Sequence, residues 1–160
     1  MGFVDVKLSD VELDKPSPVG IGDYTFQLAP GAAYRVNQYT GVEELNVSAS
    51  IASESEFQGR RVFWSYPDPT AIGKKSGKPM SWSAQALKKF ELALGEDSLP
   101  GEDPATYLNR VATNGNTRFG ASMVAETRKN EETGKYEPYT REGEDAPRAV
   151  FSVFTVHASA

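Results

Sequence analysis

This chain of 160 residues has one histidine, His157, and no cysteine. Thiolate nucleophiles, disulfides and cysteine-based zinc sites are therefore excluded, and so are multi-histidine metal centres. Ser-His-Asp catalysis would have to run through that one imidazole, whose plainer reading is a solvated residue at the end of a strand. The 22 Asp and Glu residues show no pairing that singles out an acid and a base or a magnesium site. There is no P-loop, no dinucleotide-type glycine pattern and no EF-hand loop. The residue types point away from an enzyme and call for no cofactor and no metal.

The chemistry on offer is non-covalent. Residues 60–82 hold Arg60, Arg61, Phe63, Trp64, Tyr66, Lys74, Lys75, Lys78 and Trp82. Cations that track phosphates, interleaved with aromatic faces on which bases stack, are what holding a single strand without sequence choice requires. Arg118, Arg128 and Lys135 extend the path from neighbouring strands. Each residue also has a plainer reading. Val62, Trp64 and Tyr66 alternate with Arg61, Phe63 and Ser65, so one of these faces is core, and Trp is more often core than platform. Phe63, on the Arg61 face, is the favoured exposed ring, with strand register deciding. Trp82 has the alternative role of stapling a helix to the sheet. Lys88 and Lys89 are a solvated helix face.

Charge is uneven. The formal net charge is −5. Residues 57–92, however, carry seven cations (Arg60, Arg61, Lys74, Lys75, Lys78, Lys88, Lys89) against Asp68 and Glu91. Residues 1–56 carry three (Lys7, Lys15, Arg35) against nine acids. An acidic chain can thus present a basic strip to a phosphate backbone. On charge alone, a solvated surface with accidental clustering explains the pattern slightly better.

The elements that must position these residues follow from periodicity. Residues 1–20 read as an irregular leader. Val4, Val6 and Leu8 alternate as in a short strand, but Pro16 and Pro18 stop it. Strand patterns run through Tyr24/Phe26/Leu28, Tyr34/Val36 and, most clearly, Leu45/Val47/Ala49/Ile51. Gly59 leads into the aromatic strand, which Pro67 and Pro69 end. A basic loop, 73–79, follows. A helix over about 82–95 carries Ala84, Leu87, Phe90 and Leu94 as its stripe, with Ser81 or Ser83 as cap and Gly95 as stop. Asp103-Pro104 opens a short second helix to about 111. Strand alternation returns at Phe119/Ala121/Met123/Ala125, then a hairpin turns at 130–134. The last strand reads as Val150–Val156. No apolar run approaches the roughly 20 residues of a membrane span. The first residues lack a secretory signal, and Val6 excludes a myristoylation motif.

The order predicts one domain over 21–160. Its fold class is mainly β: an OB-like antiparallel Greek-key barrel of five or more strands, with one principal and one short helix. The stretch from Gly59 to Gly95, with Gly-Arg-Arg, an aromatic strand, a basic loop and the helix ending Leu92-Ala93-Leu94-Gly95, carries a resemblance. So do Gly22-Asp23-Tyr24 and Arg118-Phe119-Gly120-Ala121. Over residues 20–140 the chain resembles a family of small phage proteins that look like OB-fold single-stranded DNA-binding proteins of replication and recombination modules. The resemblance implies sequence-tolerant binding of single-stranded DNA in the cytoplasm of a bacterial host. The hairpin is longer and more acidic than the family pattern, which leaves Tyr136 and Tyr139 outside the expected contacts. Beyond DNA, the candidate partners are a second copy and replication or recombination proteins; a membrane is not among them. The competing class is a phage virion structural or decoration protein with a β-sandwich fold.

Overall fold

The computed structural model of the protein describes residues 3–10, 18–73, 77–115 and 117–159. The first strand of the domain is split. β1 (Gly22–Leu28) and β2 (Ala33–Val36) are separated by a kink at Pro30-Gly31, yet both pair antiparallel with the same edge of β3 (Glu43–Ile51). The other edge of β3 pairs along its length with β4 (Arg61–Pro67), from Ser50↔Arg61 to Glu44↔Pro67. Gly59, at φ +84°, makes this connection. The Gly59 N–H donates to the Ile51 carbonyl and the Ile51 N–H to the Arg60 carbonyl, a G1 bulge whose first residue needs the left-handed region.

Two helices then follow, the first packing against β4 and two later strands and the second against β1. α1 (Ser81–Leu94) buries Ser83, Ala86, Phe90, Ala93 and Leu94. The stripe is thus rotated from the one the sequence suggests: Ala84 is exposed and Leu87 half-buried. The cause is Ser83. Met80 is the N-cap and supplies no side-chain cap, while the Ser83 hydroxyl donates to the Pro67 carbonyl at 2.6 Å, tying the helix start to the end of β4. Gly95 closes α1 in the left-handed conformation, as its position predicts. α2 (Pro104–Thr113) begins at its predicted cap, Asp103, which accepts from the Thr106 N–H.

β5 (Arg118–Ala125) returns along the free edge of β1, in register from Gly22↔Met123 to Gln27↔Arg118. A hairpin of β6 (Thr127–Lys129) and β7 (Tyr136–Pro138) projects from its end. The chain then re-enters as β8 (Ala149–Phe151) and β9 (His157–Ala158), both paired to β5. The last strand is therefore not continuous over 150–156. Val153 and Phe154 occupy a turn between two short strands, which explains apolar residues on both apparent faces. Residues 3–5 and 8–10 form 3₁₀ turns rather than a strand.

The sheet order, β4–β3–β1/β2–β5–β8, is that of an OB-like barrel with its last seam between β4 and β8. The fold is mainly β, one curled antiparallel sheet with two helices. Its interior is aromatic: Phe26, Trp64, Phe90, Phe119 and Phe151 form one network of rings. Among the described residues, no helix is long and apolar enough to cross a membrane.

Candidate nucleic-acid interface

Register decides which aromatic residues of β4 face outward. Val62, Trp64 and Tyr66 lie opposite Ala49, Val47 and Leu45, all core residues. Trp64 is 9% exposed and Tyr66 1%, against 71% for Phe63. Trp64 and Tyr66 therefore leave the candidate site: their rings build the barrel interior and have no face to offer a base. Burial pushes the Tyr66 phenol well above its ordinary pKa. The Trp64 indole N–H and the Tyr66 hydroxyl are both buried with no hydrogen-bond partner among the described residues. Phe63 is the ring that the outward face presents.

Around Phe63 two depressions meet. One, of about 460 Å³, is lined by Arg35, Asn46, Ser48, Phe63 and Ser65 among others. The second, a trough of about 1020 Å³, runs along the β4–β8 seam and is lined by Arg60, Arg61, Phe63, Arg148, Val150 and the segment 18–21. Three arginines thus flank one exposed ring. Arg35, Arg60 and Arg61 take part in none of the ion pairs found among the described residues. Arg148, by contrast, is held by Glu144 at 2.5 Å.

The outward face continues across the sheet. Arg61 lies opposite Ser50, Ser50 opposite Gln27, and Gln27 opposite Arg118. These four residues form one transverse row, with an arginine at each end and hydrogen-bonding side chains between. Three strand spacings put the ends about 14 Å apart along the sheet. The pairing thereby brings Arg118 onto the face that Arg61 occupies, although 57 positions separate them in the chain.

Other expected site residues lie elsewhere. Trp82 sits in the first turn of α1 against Phe154, ring centroids 5.8 Å apart, and lines neither depression. This is the stapling role. Arg128 lies on the hairpin with its guanidinium 3.9 Å above the Tyr139 ring, and Lys135 is exposed on the same hairpin. Lys78 is exposed in the loop before α1, which closes through the Ile72–Pro79 bridge. Lys74 and Lys75 lie outside the described residues.

One residue that the basic strip does not include lines the site. Arg35 stands far from that strip in sequence, but it pairs with Glu44 on the outward face and so lines the depression beside Phe63. The only sequence signal for it is the alternation of β2, which places Arg35 opposite in sense to Tyr34 and Val36. Tyr39, in the β2–β3 loop, is 95% exposed. Among the described residues no cluster of three or more His, Asp or Glu is arranged to hold a metal ion. Compared with known protein families, curated proteins and solved structures, the chain matches none.

Proposed function

We propose that this protein binds single-stranded DNA, with little choice of sequence, on the outward face of β3 and β4, in the setting of phage replication or recombination. The observation that carries the reading is Phe63: one exposed ring on a polar strand face, flanked by three arginines that make no ion pair among the described residues. A base stacked on such a ring contributes about 1–3 kcal/mol, and arginines on either side meet phosphates as the strand passes. The Arg61–Ser50–Gln27–Arg118 row gives the backbone a continuing polar track. Asn46 and Ser48 line the depression with groups that accept and donate without demanding one base.

Two features of the architecture support this reading over the virion alternative. A sandwich calls for two sheets face to face, and the described residues form one curled sheet with a separate two-stranded hairpin. OB-type barrels bind oligonucleotides on the face and loops that hold Phe63 and Tyr39 here. The test is a fluorescence titration with oligo(dT) and with duplex of equal length at several salt concentrations. Tighter binding of the single strand, weakening as salt rises, is the expected result. Equal or no binding of both overturns the reading.

A further inference from the structure

We infer that the depression beside Phe63 receives one unpaired base, and that Asn109 of α2 is the positioning residue that holds it open. The inference rests on the nucleic-acid reading and adds to it the place where a base enters.

The depression is opened by the kink between β1 and β2. The Ala29 N–H still donates to the Ser48 carbonyl, and pairing resumes at Ala33↔Asn46. Pro30, Gly31 and Ala32 therefore stand against the single β3 residue Val47, so the chain must leave the ladder there. Pro30 has no N–H to place. The other two N–H groups of the kink both go to Asn109. Its Oδ1 accepts from Gly31 at 2.8 Å and from Ala32 at 2.9 Å, and its Nδ2 donates to the Ala32 carbonyl at 2.8 Å. One side chain thus satisfies backbone groups that β3 cannot reach, and the pattern fixes its amide orientation, since only Oδ1 can accept. Asn109 is itself anchored, because its helix buries Ala105, Tyr107, Leu108 and Val111 in the core.

What the kink uncovers suits a base. Val47 belongs to the core yet lines the depression, which therefore lies where the chain has left β3. The outward row across it, Ala33–Asn46–Ser65, carries short side chains and makes a low floor. Phe63 stands on one side of that row and Arg35 on the other. A ring to stack on, a polar floor and a cation beyond it meet the face, edge and phosphate of one nucleotide. Among the described residues Arg35 is the only charged one that lines the depression, whereas the trough that Phe63 also borders carries Glu144 and Asp145. Among the described residues the side chains of Asn46, Ser48 and Ser65 enter no hydrogen bond, so their donors and acceptors are available to a base edge. A base in a duplex has its faces stacked and its edge paired, so only an unpaired one fits here.

Titration of the full-length chain with two oligomers of equal length tests this: oligo(dT), and an abasic strand that carries the same phosphates without bases. The parent is expected to bind oligo(dT) roughly tenfold or more tightly than the abasic strand, as one stacked base would give. Asn109→Ala should bring that ratio toward one while the salt slope stays that of the parent, since no phosphate contact is lost. Ala33→Ile fills the depression from β2 and leaves Asn109 in place; it should lower the ratio in the same way without moving the urea midpoint. Asn109→Asp keeps the acceptor for both N–H groups and loses only the donor, and it serves should the alanine variant not fold. Its ratio should fall part of the way, and its added charge cancels because both strands carry the same phosphates. An unchanged ratio in a folded Asn109 variant overturns the role of Asn109, and an unchanged ratio in Ala33→Ile overturns the base subsite. A parent that binds both strands equally also overturns the subsite while leaving phosphate binding intact. A parent that binds neither removes the nucleic-acid reading and this inference with it.

Discussion

Trp64 on β4 and Phe151 on β8 stack, their ring centroids 3.9 Å apart and their planes 14° from parallel. The two strands that carry them are not hydrogen-bonded to each other among the described residues. The barrel is therefore closed at this seam by an aromatic contact where a ladder closes it elsewhere.

That stacked pair sets the first prediction. Phe151→Ala should cost about 3–5 kcal/mol in urea unfolding, as for a large core ring removed without collapse of the site. Phe151→Leu should recover much of the volume but forgo the stacking share, about 0.5–1.5 kcal/mol. A Phe151→Ala variant as stable as the parent would mean that the seam contributes nothing to closure.

Phe63 and Trp64 are sequence neighbours with opposite expected behaviour. Phe63→Ala should leave the urea midpoint nearly unchanged and weaken oligo(dT) binding by about 1–3 kcal/mol, with little change in salt slope. Trp64→Ala should destabilise the fold first. Loss of stability in the Phe63 variant, with binding intact, would reverse the assignment of the two faces.

The cations separate from the ring by salt. Neutralising Arg60 and Arg61 to Gln should weaken binding of all sequences alike and flatten the salt slope by roughly 0.7 for each phosphate that is no longer neutralised. The same measurement on Lys74, Lys75 and Lys78 neutralised together tests the loop before α1. Unchanged binding by a folded loop variant assigns those lysines to solvent.

Asp103 links pH to the docking of α2. The Thr106 hydroxyl donates to its carboxylate at 2.5 Å and the Tyr34 hydroxyl at 2.6 Å, holding its pKa down at about 2. A carboxyl depressed in the folded state stabilises it above the ordinary carboxylate pKa of about 4, and this is lost as pH falls toward 2. Thermal melts over that window should show a steeper fall for the parent than for Asp103→Asn. Parallel curves would remove the linkage.

Gly120 and His157 are cross-strand partners, and a Cβ at Gly120 would lie 2.3 Å from His157 Nε2. Because the imidazole is exposed, it can swing away, so Gly120→Ala should cost about 1 kcal/mol, the low end for overpacking. His157→Ala should remove that penalty in a double-mutant cycle. Additive costs would place the strain in the backbone instead.

Some of this architecture is legible in the sequence, and the rest is hidden for identifiable reasons. Leu45, Val47, Ala49 and Ile51 announce β3 because one face is core and the other polar, and Asp103-Pro104 announces α2 because both residues suit a helix start. The two faces of β4 both carry aromatic residues, so only pairing with β3 tells Phe63 from Trp64 and Tyr66. The phase of α1 is ambiguous because Ala84 and Ala86 are alike by type, and the choice between them is made by the Ser83 bond to Pro67. Val150 to Val156 reads as one strand because a turn holding Val153 against the core has the composition of a buried strand. Arg118 is expected from the sequence to extend the path, and register sets it in one row with Arg61, whereas Arg35 cannot be assigned to the site from local sequence, since long-range register alone brings it there.

The parity of β4 has a kinetic consequence. The Ile51 N–H donates to the Arg60 carbonyl and the Asp68 N–H to the Glu43 carbonyl, and in an antiparallel pair the bonded positions recur every second residue. Amides of Val62, Trp64 and Tyr66 are locked into the ladder with β3, while those of Arg61 and Phe63, one position away, open onto the seam. Deuterium uptake along this single strand should accordingly alternate, slow and fast by turns, instead of fading smoothly from centre to ends. The strand would then report from within on whether its outer edge is occupied: whatever lies along the seam would erase the alternation.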